Sequence, residues 1–201
     1  MARPAAFILA GGESSRMGRN KALLEIDGEP LIVRTARTVE ESVAKPAIVG
    51  PREIFETFGF DCIEDGWPGA GPLGGIATAL RAAAAGWSLV VACDLPYLTG
   101  EWLGYLTRRA QSSSADAVIP ESEFGVEPLC ALYNKHADEP LRAALERGVR
   151  KVTEGLATLS IEKIEPAEWK PFDSGGHLFK NMNTPPDYEE ARTRLSGRTN
   201  R

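Results

Sequence analysis

The sequence predicts a doubly wound α/β fold with a mostly parallel sheet, and three observations carry that prediction. Strand-type and helix-type segments alternate along the 201 residues without a repeat or a low-complexity linker, the pattern of a sheet covered by helices on both faces. The run Phe7-Ile8-Leu9-Ala10 stops at two adjacent glycines and a polar loop that ends at Lys21. The run Ser88-Leu89-Val90-Val91-Ala92-Cys93 is nearly continuously apolar, as a central parallel strand is, and ends at Asp94. One domain over residues 1–195, followed by a polar tail at 196–201 that is expected to fray, is the economical division.

Composition bounds the function. Hydrophobic residues make up 43% and charged residues 25% of the chain, the globular range. A net charge of −5 argues against a nonspecific nucleic-acid binder, whose affinity rests on basic surface. It leaves room for a small anionic ligand held in a local basic pocket. Cys62, Cys93 and Cys130 are few, odd in number and far apart. That spacing suits a reducing compartment and offers no zinc pattern, so all three are expected in the core. Arg3-Pro4 precedes a strand rather than a long apolar stretch, and no apolar run reaches membrane-spanning length. The expectation is a cytoplasmic protein with neither a membrane nor a nucleic-acid partner.

Taken in order, residues 5–10 read as the first strand. Residues 22–26 read as a short extended piece, and Asp27-Gly28 as a tight turn. Pro30 opens a helix, since proline suits a first turn. Residues 47–50 form a second strand, 52–58 a short helix and 61–64 a third strand. A loop rich in Gly and Pro follows Asp65 and leads into a helix over 73–82 built from small residues. After the strand at 88–93, Thr99 is placed to cap a helix through the amide of Trp102. Strands are expected at 115–120, 127–133 and 159–164, and helices at 137–147 and 150–157. Thr184 and Pro185 cap and open the last helix.

The loop after the first strand carries the chemistry. Gly11 and Gly12 let the backbone approach an anion closely, and the exposed amides can bond its oxygens. Arg16 and Lys21 add a planar fork and a compact point charge. The ligand inferred is a polyphosphate. It is not held by a Walker A loop, because five residues separate Gly12 from Gly18 and Arg19 follows Gly18. It is not held by a dinucleotide fingerprint either, because Gly11 and Gly12 are adjacent. An ordinary strand-to-loop turn with surface charges would carry the same residues.

Asp94 directly follows a buried strand, where ligands of open α/β sheets bind. A carboxylate there suits Mg²⁺, which prefers oxygen and takes one or two carboxylates plus phosphates. A turn or capping aspartate would look alike. Asp65 ends a strand at the same rim, as a nucleotide contact or as a turn residue before Gly66. Gly69, Gly71, Gly74 and Gly75 either admit a base or ribose or serve helix–sheet contact, the latter expected for Gly75. Asn181 and Asn183 can meet a phosphate or complete a turn. Arg150-Lys151 can meet a phosphate or finish a helix end. His136 and His177 read as loop or surface residues, and no Ser/His/Asp set is present.

Four stretches together resemble one family. Leu9-Ala10-Gly11-Gly12-x-Ser14-x-Arg16-Met17-Gly18-x-Asn20-Lys21 is similar to the signature loop of the molybdenum cofactor guanylyltransferases. Gly71-Pro72-Leu73-Gly74-Gly75-Ile76, Cys93-Asp94-x-Pro96 and Asn181-x-Asn183-Thr184-Pro185 follow in that family's order. The resemblance spans residues 6 to about 192. It departs at Asn20, where the family usually carries Asp, which removes one negative charge beside Lys21.

The resemblance implies a nucleotide-diphospho-sugar transferase-like, Rossmann-like fold and a Mg²⁺-dependent transfer of GMP from GTP to molybdopterin. It implies Arg16 and Lys21 as catalytic residues. Leu9, Ala10, Gly11, Gly12, Lys21, Asp65 and Asp94 become the nucleotide contacts, with Asp94 also holding the metal. Asn181 and Asn183 are implied at the acceptor or its phosphate. Transient contacts with other proteins of molybdenum cofactor biosynthesis or with molybdoenzymes also follow from it. CTP in place of GTP, or a sugar or alcohol phosphate as acceptor, is the alternative within the same chemistry.

Overall fold

A computed structural model of the protein describes residues 3–11, 20–84 and 86–196. The chain opens with β1 (Ala5–Leu9) and, after a 3-10 turn at Lys21–Leu23, forms a hairpin of β2 (Glu25–Ile26) and β3 (Glu29–Pro30). Asp27 and Gly28 at its tip both have positive φ, 54° and 76°, the geometry that a two-residue turn of this hand requires. Then follow α1 (Leu31–Ser42), β4 (Ala47–Val49), α2 (Arg52–Phe55), β5 (Cys62–Ile63), α3 (Gly71–Ala82) and β6 (Trp87–Ala92). The second half holds α4 (Gly100–Ser112), β7 (Ala117–Ser122), β8 (Gly125–Val126), β9 (Cys130–Asn134), α5 (Asp138–Glu146), α6 (Val152–Gly155), β10 (Ile161–Ile164), α7 (Pro166–Trp169) and α8 (Pro185–Leu195).

Two expected caps are made as the sequence places them. Thr99 accepts from the Trp102 amide at 3.3 Å. Thr184 and Asp187 form a reciprocal capping box at the start of α8. Residues 22–24 form a 3-10 turn and a link rather than extended chain. β8 and α7 were not expected, because two and four residues are too few to show a periodicity. Ser196, placed in the polar tail, is tied down: its hydroxyl meets Asp27 Oδ1 at 2.6 Å. The rest of that tail lies outside the described residues.

The main sheet runs β10-β7-β9-β6-β1-β4-β5, with β8 pairing on β7. β1 is parallel to both β4 and β6, and β10 is parallel to β7. β9 alone along this path runs backwards, antiparallel to β6 and to β7. The mostly parallel sheet is therefore as expected, with one reversed strand in its middle.

Alternation along the central strands shows the two covered faces. Ala6, Ile8, Leu89 and Val91 belong to one buried cluster with Ile32 of α1 and Trp102 of α4. Phe7, Leu9 and Val90 belong to another with Ile76 and Leu80 of α3 and Leu141 of α5. Strand side chains alternate with a period of two, so each central strand feeds both layers. A third cluster joins Ile26, Leu31, Met182, Ala191 and Leu195. It clasps the hairpin after Lys21 to the last helix, helped by Tyr188, whose hydroxyl donates to the Glu25 carbonyl at 2.8 Å.

The tight join of α3 to its leading loop rests on glycine. A Cβ on Gly74 would lie 2.9 Å from Trp67 Cβ and 3.0 Å from both Ala70 Cβ and the Trp67 carbonyl oxygen. None of these atoms is the flexible end of a side chain, so the loop itself must give. Gly74→Ala is expected to destabilise the protein by about 1–3 kcal/mol, the usual cost of overpacking. Thermal denaturation measures that loss, and an unchanged melting temperature would show that the loop yields freely.

Candidate active site

The carboxyl ends of β1, β4, β5 and β6 open on a cleft of about 730 Å³. Leu9, Ala10 and Gly11 line it from β1, Asp65 from the end of β5, and Ala92, Cys93 and Asp94 from β6. Gly69, Gly71, Pro72 and Gly75 reach it from the start of α3, Asn20, Lys21 and Ala22 from the 3-10 turn, and Leu129 from the approach to β9. The expected residues Leu9, Ala10, Gly11, Lys21, Asp65 and Asp94 thus share one cavity. Gly12 and Arg16 lie outside the described residues.

Lys21 is held by what precedes and follows it. Asn20 caps the turn, its Oδ1 accepting from the Ala22 amide at 3.0 Å. Ala22 is fully buried, which anchors the turn while Lys21 points along the cleft wall. The Asn20 amide performs this cap as an aspartate would, without a second negative charge beside Lys21. Lys21 Nζ donates to Asn183 Oδ1 at 2.6 Å and stands 3.8 Å from Asp94 Oδ2.

Asp94 is fixed through its backbone as well. The Met182 amide donates to its carbonyl at 2.9 Å, and Met182 itself is buried. The segment 181–184 is therefore a strap laid across the end of β6. It brings Asn183 to Lys21, whereas Asn181 is exposed, and neither asparagine lines the cleft itself. Burial pushes the Asp94 carboxyl above the usual carboxylate range, and the Lys21 ammonium opposes the shift.

Asp65 does two things. Its Oδ1 accepts from the Trp67 amide at 2.9 Å and from the Thr78 hydroxyl at 3.1 Å. Thr78 in turn accepts from the Gly66 amide at 3.0 Å. Both carboxylate bonds fall on Oδ1, and the residue still borders the cleft. Thr78 was missed by sequence reasoning; its signal is a lone hydroxyl in the run Ile76-Ala77-Thr78-Ala79-Leu80. The glycine assignments also change. Gly75 does serve helix–sheet contact, since a Cβ there would lie 3.0 Å from Leu9 Cδ1, but it faces the cleft too. Gly11 has open space at its Cβ position, with only the Val49 carbonyl oxygen at 4.0 Å. Packing therefore does not demand glycine at that position.

Cys93 departs from expectation. Cys62 and Cys130 are buried, but Cys93 is only partly so and lines the cleft. Desolvation, reinforced by the Asp94 charge, pushes its thiol up to about 12, so it stays protonated and is a poor nucleophile at neutral pH. Arg150 finishes a helix end, donating to the Leu145 and Val149 carbonyls at 3.1 and 2.9 Å. His136 is exposed, and His177 contacts Glu190 on α8 at 3.0 Å. Among the described residues no three His, Cys, Asp or Glu side chains gather into a metal site. A cation at Asp94 needs further oxygens from its ligand. No helix among the described residues is long and apolar enough to cross a membrane.

The family described as MobA-like NTP transferase domain matches residues 6–161. The chain belongs to this family. It is 35% identical over 193 residues to a probable molybdenum cofactor guanylyltransferase of Opitutus terrae, covering 94% of each chain. It is 34% identical to one of Pelotomaculum thermopropionicum, covering 96% of this chain and 93% of the other. Among solved structures, molybdopterin-guanine dinucleotide biosynthesis protein A from Archaeoglobus fulgidus superposes with a TM-score of 0.85 at 28% identity, over 96% and 98% of the two chains. The fold extends further: 2-C-methyl-D-erythritol 4-phosphate cytidylyltransferase from Thermus thermophilus gives a TM-score of 0.71 at 17% identity, over 96% and 98%. The nucleotidyltransferase fold expected from the sequence is the observed one.

The buried Asp94 charge carries a pH signature. A carboxyl whose folded pKa is raised binds more protons folded than unfolded, so its contribution to stability falls as pH rises through that value. Asp94→Asn removes the charge and keeps the size. The variant is expected to melt at a higher temperature than the parent at pH 7. The gain is expected to vanish below about pH 3.9, where the carboxyl is neutral in both states. Melting curves at the two pH values test this; a variant less stable at neutral pH would mean that the attraction of Lys21 outweighs burial.

Proposed function

We propose that the protein is a Mg²⁺-dependent molybdenum cofactor guanylyltransferase, moving GMP from GTP to the terminal phosphate of molybdopterin bearing molybdenum and releasing pyrophosphate. The observation that supports this most is the convergence of Lys21, Asp94 and Asn183 at one rim of the cleft, in a chain similar over its length to proteins that carry that name. Residues 9–12 and Lys21 take the triphosphate, and Asp65 with the 65–75 loop takes the nucleoside. Arg16 joins Lys21 in offsetting charge. Asn183 orients Lys21.

The chemistry needs little acid–base help. An oxygen of the acceptor's phosphate forms a bond to the α-phosphorus, and the bond from that phosphorus to the bridging β-oxygen breaks. The attacking oxygen is already ionised, so no residue has to remove a proton from it. The demand is for position and for relief of repulsion between two anions. Mg²⁺ held by the Asp94 carboxylate and phosphate oxygens would supply Lewis-acid charge neutralisation there, and one carboxylate suits an ion that completes its shell with ligand oxygens. Lys21 supplies a fixed positive charge from the opposite chain segment.

Lys21→Ala is expected to slow transfer by about 2.7–4 kcal/mol of transition-state stabilisation, the scale of removing a positioned electrostatic donor. Folding stability is expected to fall as well, since Lys21 is only about one-fifth exposed and its loss leaves the Asp94 carboxylate without its counter-charge. Pyrophosphate release per folded molecule, read beside the melting temperature, separates the two. Nucleotide choice tests the guanylyl assignment. Buried polar groups left unpaired by the wrong base cost roughly 1–3 kcal/mol each, so kcat/KM for GTP is expected to exceed that for CTP by at least about tenfold. Asp65→Ala is expected to weaken GTP use. Assay with GTP and CTP on the same molybdopterin decides it, and a preference for CTP would transfer the reading to a cytidylyltransferase.

A further inference from the structure

Glu127 is a half-buried carboxylate that the transfer chemistry leaves unused. Burial holds its carboxyl above the usual range, opposed by the Ser122 hydroxyl, which donates to Oε1 at 2.6 Å. Among the described residues Ser122 is its one side-chain partner. Its backbone is fixed from both sides: the Glu127 amide donates to the Pro120 carbonyl at 2.8 Å, and the Cys130 amide donates to the Glu127 carbonyl at 3.1 Å. Tyr133 clamps the next residue, its hydroxyl donating to the Pro128 carbonyl at 2.7 Å. Such anchoring fits a recognition group better than a solvated surface charge.

Topology puts this carboxylate on the far side of Asp94 from the nucleotide residues. Residues 9–11 end and follow β1 and Asp65 follows β5, both on one flank of β6. β9 lies on the other flank and runs backwards, so its leading end meets the carboxyl ends of its neighbours. The Ala92 amide donates to the Leu129 carbonyl at 2.8 Å, and Leu129 lines the cleft two residues from Glu127. Beside Glu127 the turn between β7 and β8 presents Phe124, 90% exposed, with its amide on the same Ser122 hydroxyl at 3.1 Å.

We propose that Glu127 reads the pterin ring of the acceptor, accepting from its adjacent 2-amino and N3–H donors, while Phe124 offers an aromatic face for the ring. The inference rests on the acceptor named above. A carboxylate matches two parallel N–H donors in a plane, and a planar heterocycle stacks on an exposed aromatic side chain. Guanine carries the same donor pair, so the two substrates differ in which flank of β6 reads them.

The test uses the full chain and binding rather than turnover. The probes are neopterin monophosphate and the corresponding lumazine, which has a carbonyl in place of the 2-amino group, followed by their own fluorescence. The protein is expected to bind the pterin at least about tenfold more tightly than the lumazine. Glu127→Gln places an amide donor against the ring's donors. It is expected to erase that preference and weaken the pterin by about tenfold while leaving GTP affinity unchanged. Phe124→Ala, at an exposed turn that does not threaten folding, is expected to weaken the pterin by about fivefold. Equal affinity of the parent for pterin and lumazine overturns the proposal. So does a folded Glu127→Gln variant with unchanged pterin affinity, or one that loses GTP instead. If Glu127→Gln does not fold, unchanged pterin affinity in Phe124→Ala overturns it. Should the protein use CTP rather than GTP while the pterin results hold, the nucleotide assignment falls and this inference stands.

Discussion

The Lys21–Asp94 pair, set together at the end of β6 and only about one-fifth exposed on each side, is the constraint on which the rest of the molecule depends. Two charges withdrawn from water are expensive to place, and their mutual attraction returns the cost only when surrounding bonds complete the geometry. The chain completes it from three distant segments. β1 and β6 are neighbours in the sheet, so the loop after one and the aspartate after the other meet without a long reach. Met182 bonds the Asp94 backbone, and Asn183 bonds the Lys21 ammonium. The third buried cluster, between the first hairpin and the last helix, holds the turn carrying Lys21 and the strap carrying Asn183 to a common frame. Without the 181–184 strap, Lys21 would lack its 2.6 Å partner and Asp94 the amide on its carbonyl.

What was legible in the sequence is what local physics decides. The apolar run ending at Asp94 marks a central strand because both its faces are covered, and both are. Thr99, Thr184 and the Asp27-Gly28 turn announce themselves because capping and positive φ select particular residues within a few positions. The illegible part is non-local. Nothing in Cys130-Ala131-Leu132-Tyr133 says which way the strand points, since direction is set by pairing with β6 and β7. The bond from Lys21 to Asn183 joins residues 162 positions apart. Residue type suggested that each mattered, and only folding shows that they touch. Gly74 and Gly75 illustrate the intermediate case: sequence flags both as small, and geometry alone assigns one to the loop and the other to Leu9 and the cleft.

The two flanks of the cleft are built differently. On the β1–β5 side, the lining consists of strand ends, glycines and backbone, with Asp65 braced by the Thr78 hydroxyl and the Trp67 amide. Backbone amides without intervening side chains suit a polyphosphate, which presents many equivalent oxygens and asks for close approach. Open space at Gly11 is consistent with that use, because packing makes no demand for a glycine there. Cys93 sits between the flanks as a neutral thiol, so the wall beside Asp94 adds no second charge.

The reversed strand gives the other flank its character. In an all-parallel sheet every strand delivers its end to the ligand edge. β9 delivers its beginning, so the residues that arrive there are the ones leaving the β7–β8 hairpin. A hairpin projects beyond the sheet and can carry side chains outward, whereas a strand end followed by a helix turns back toward the core. The Ser122 hydroxyl meets both the Glu127 carboxylate and the Phe124 backbone amide, so the two positions belong to one braced turn. Asp94 stands at the boundary between a flank suited to phosphates and a flank suited to a flat heterocycle. A transfer between two anions requires its charge-neutralising groups at that boundary, where the bond being made and the bond being broken share one phosphorus.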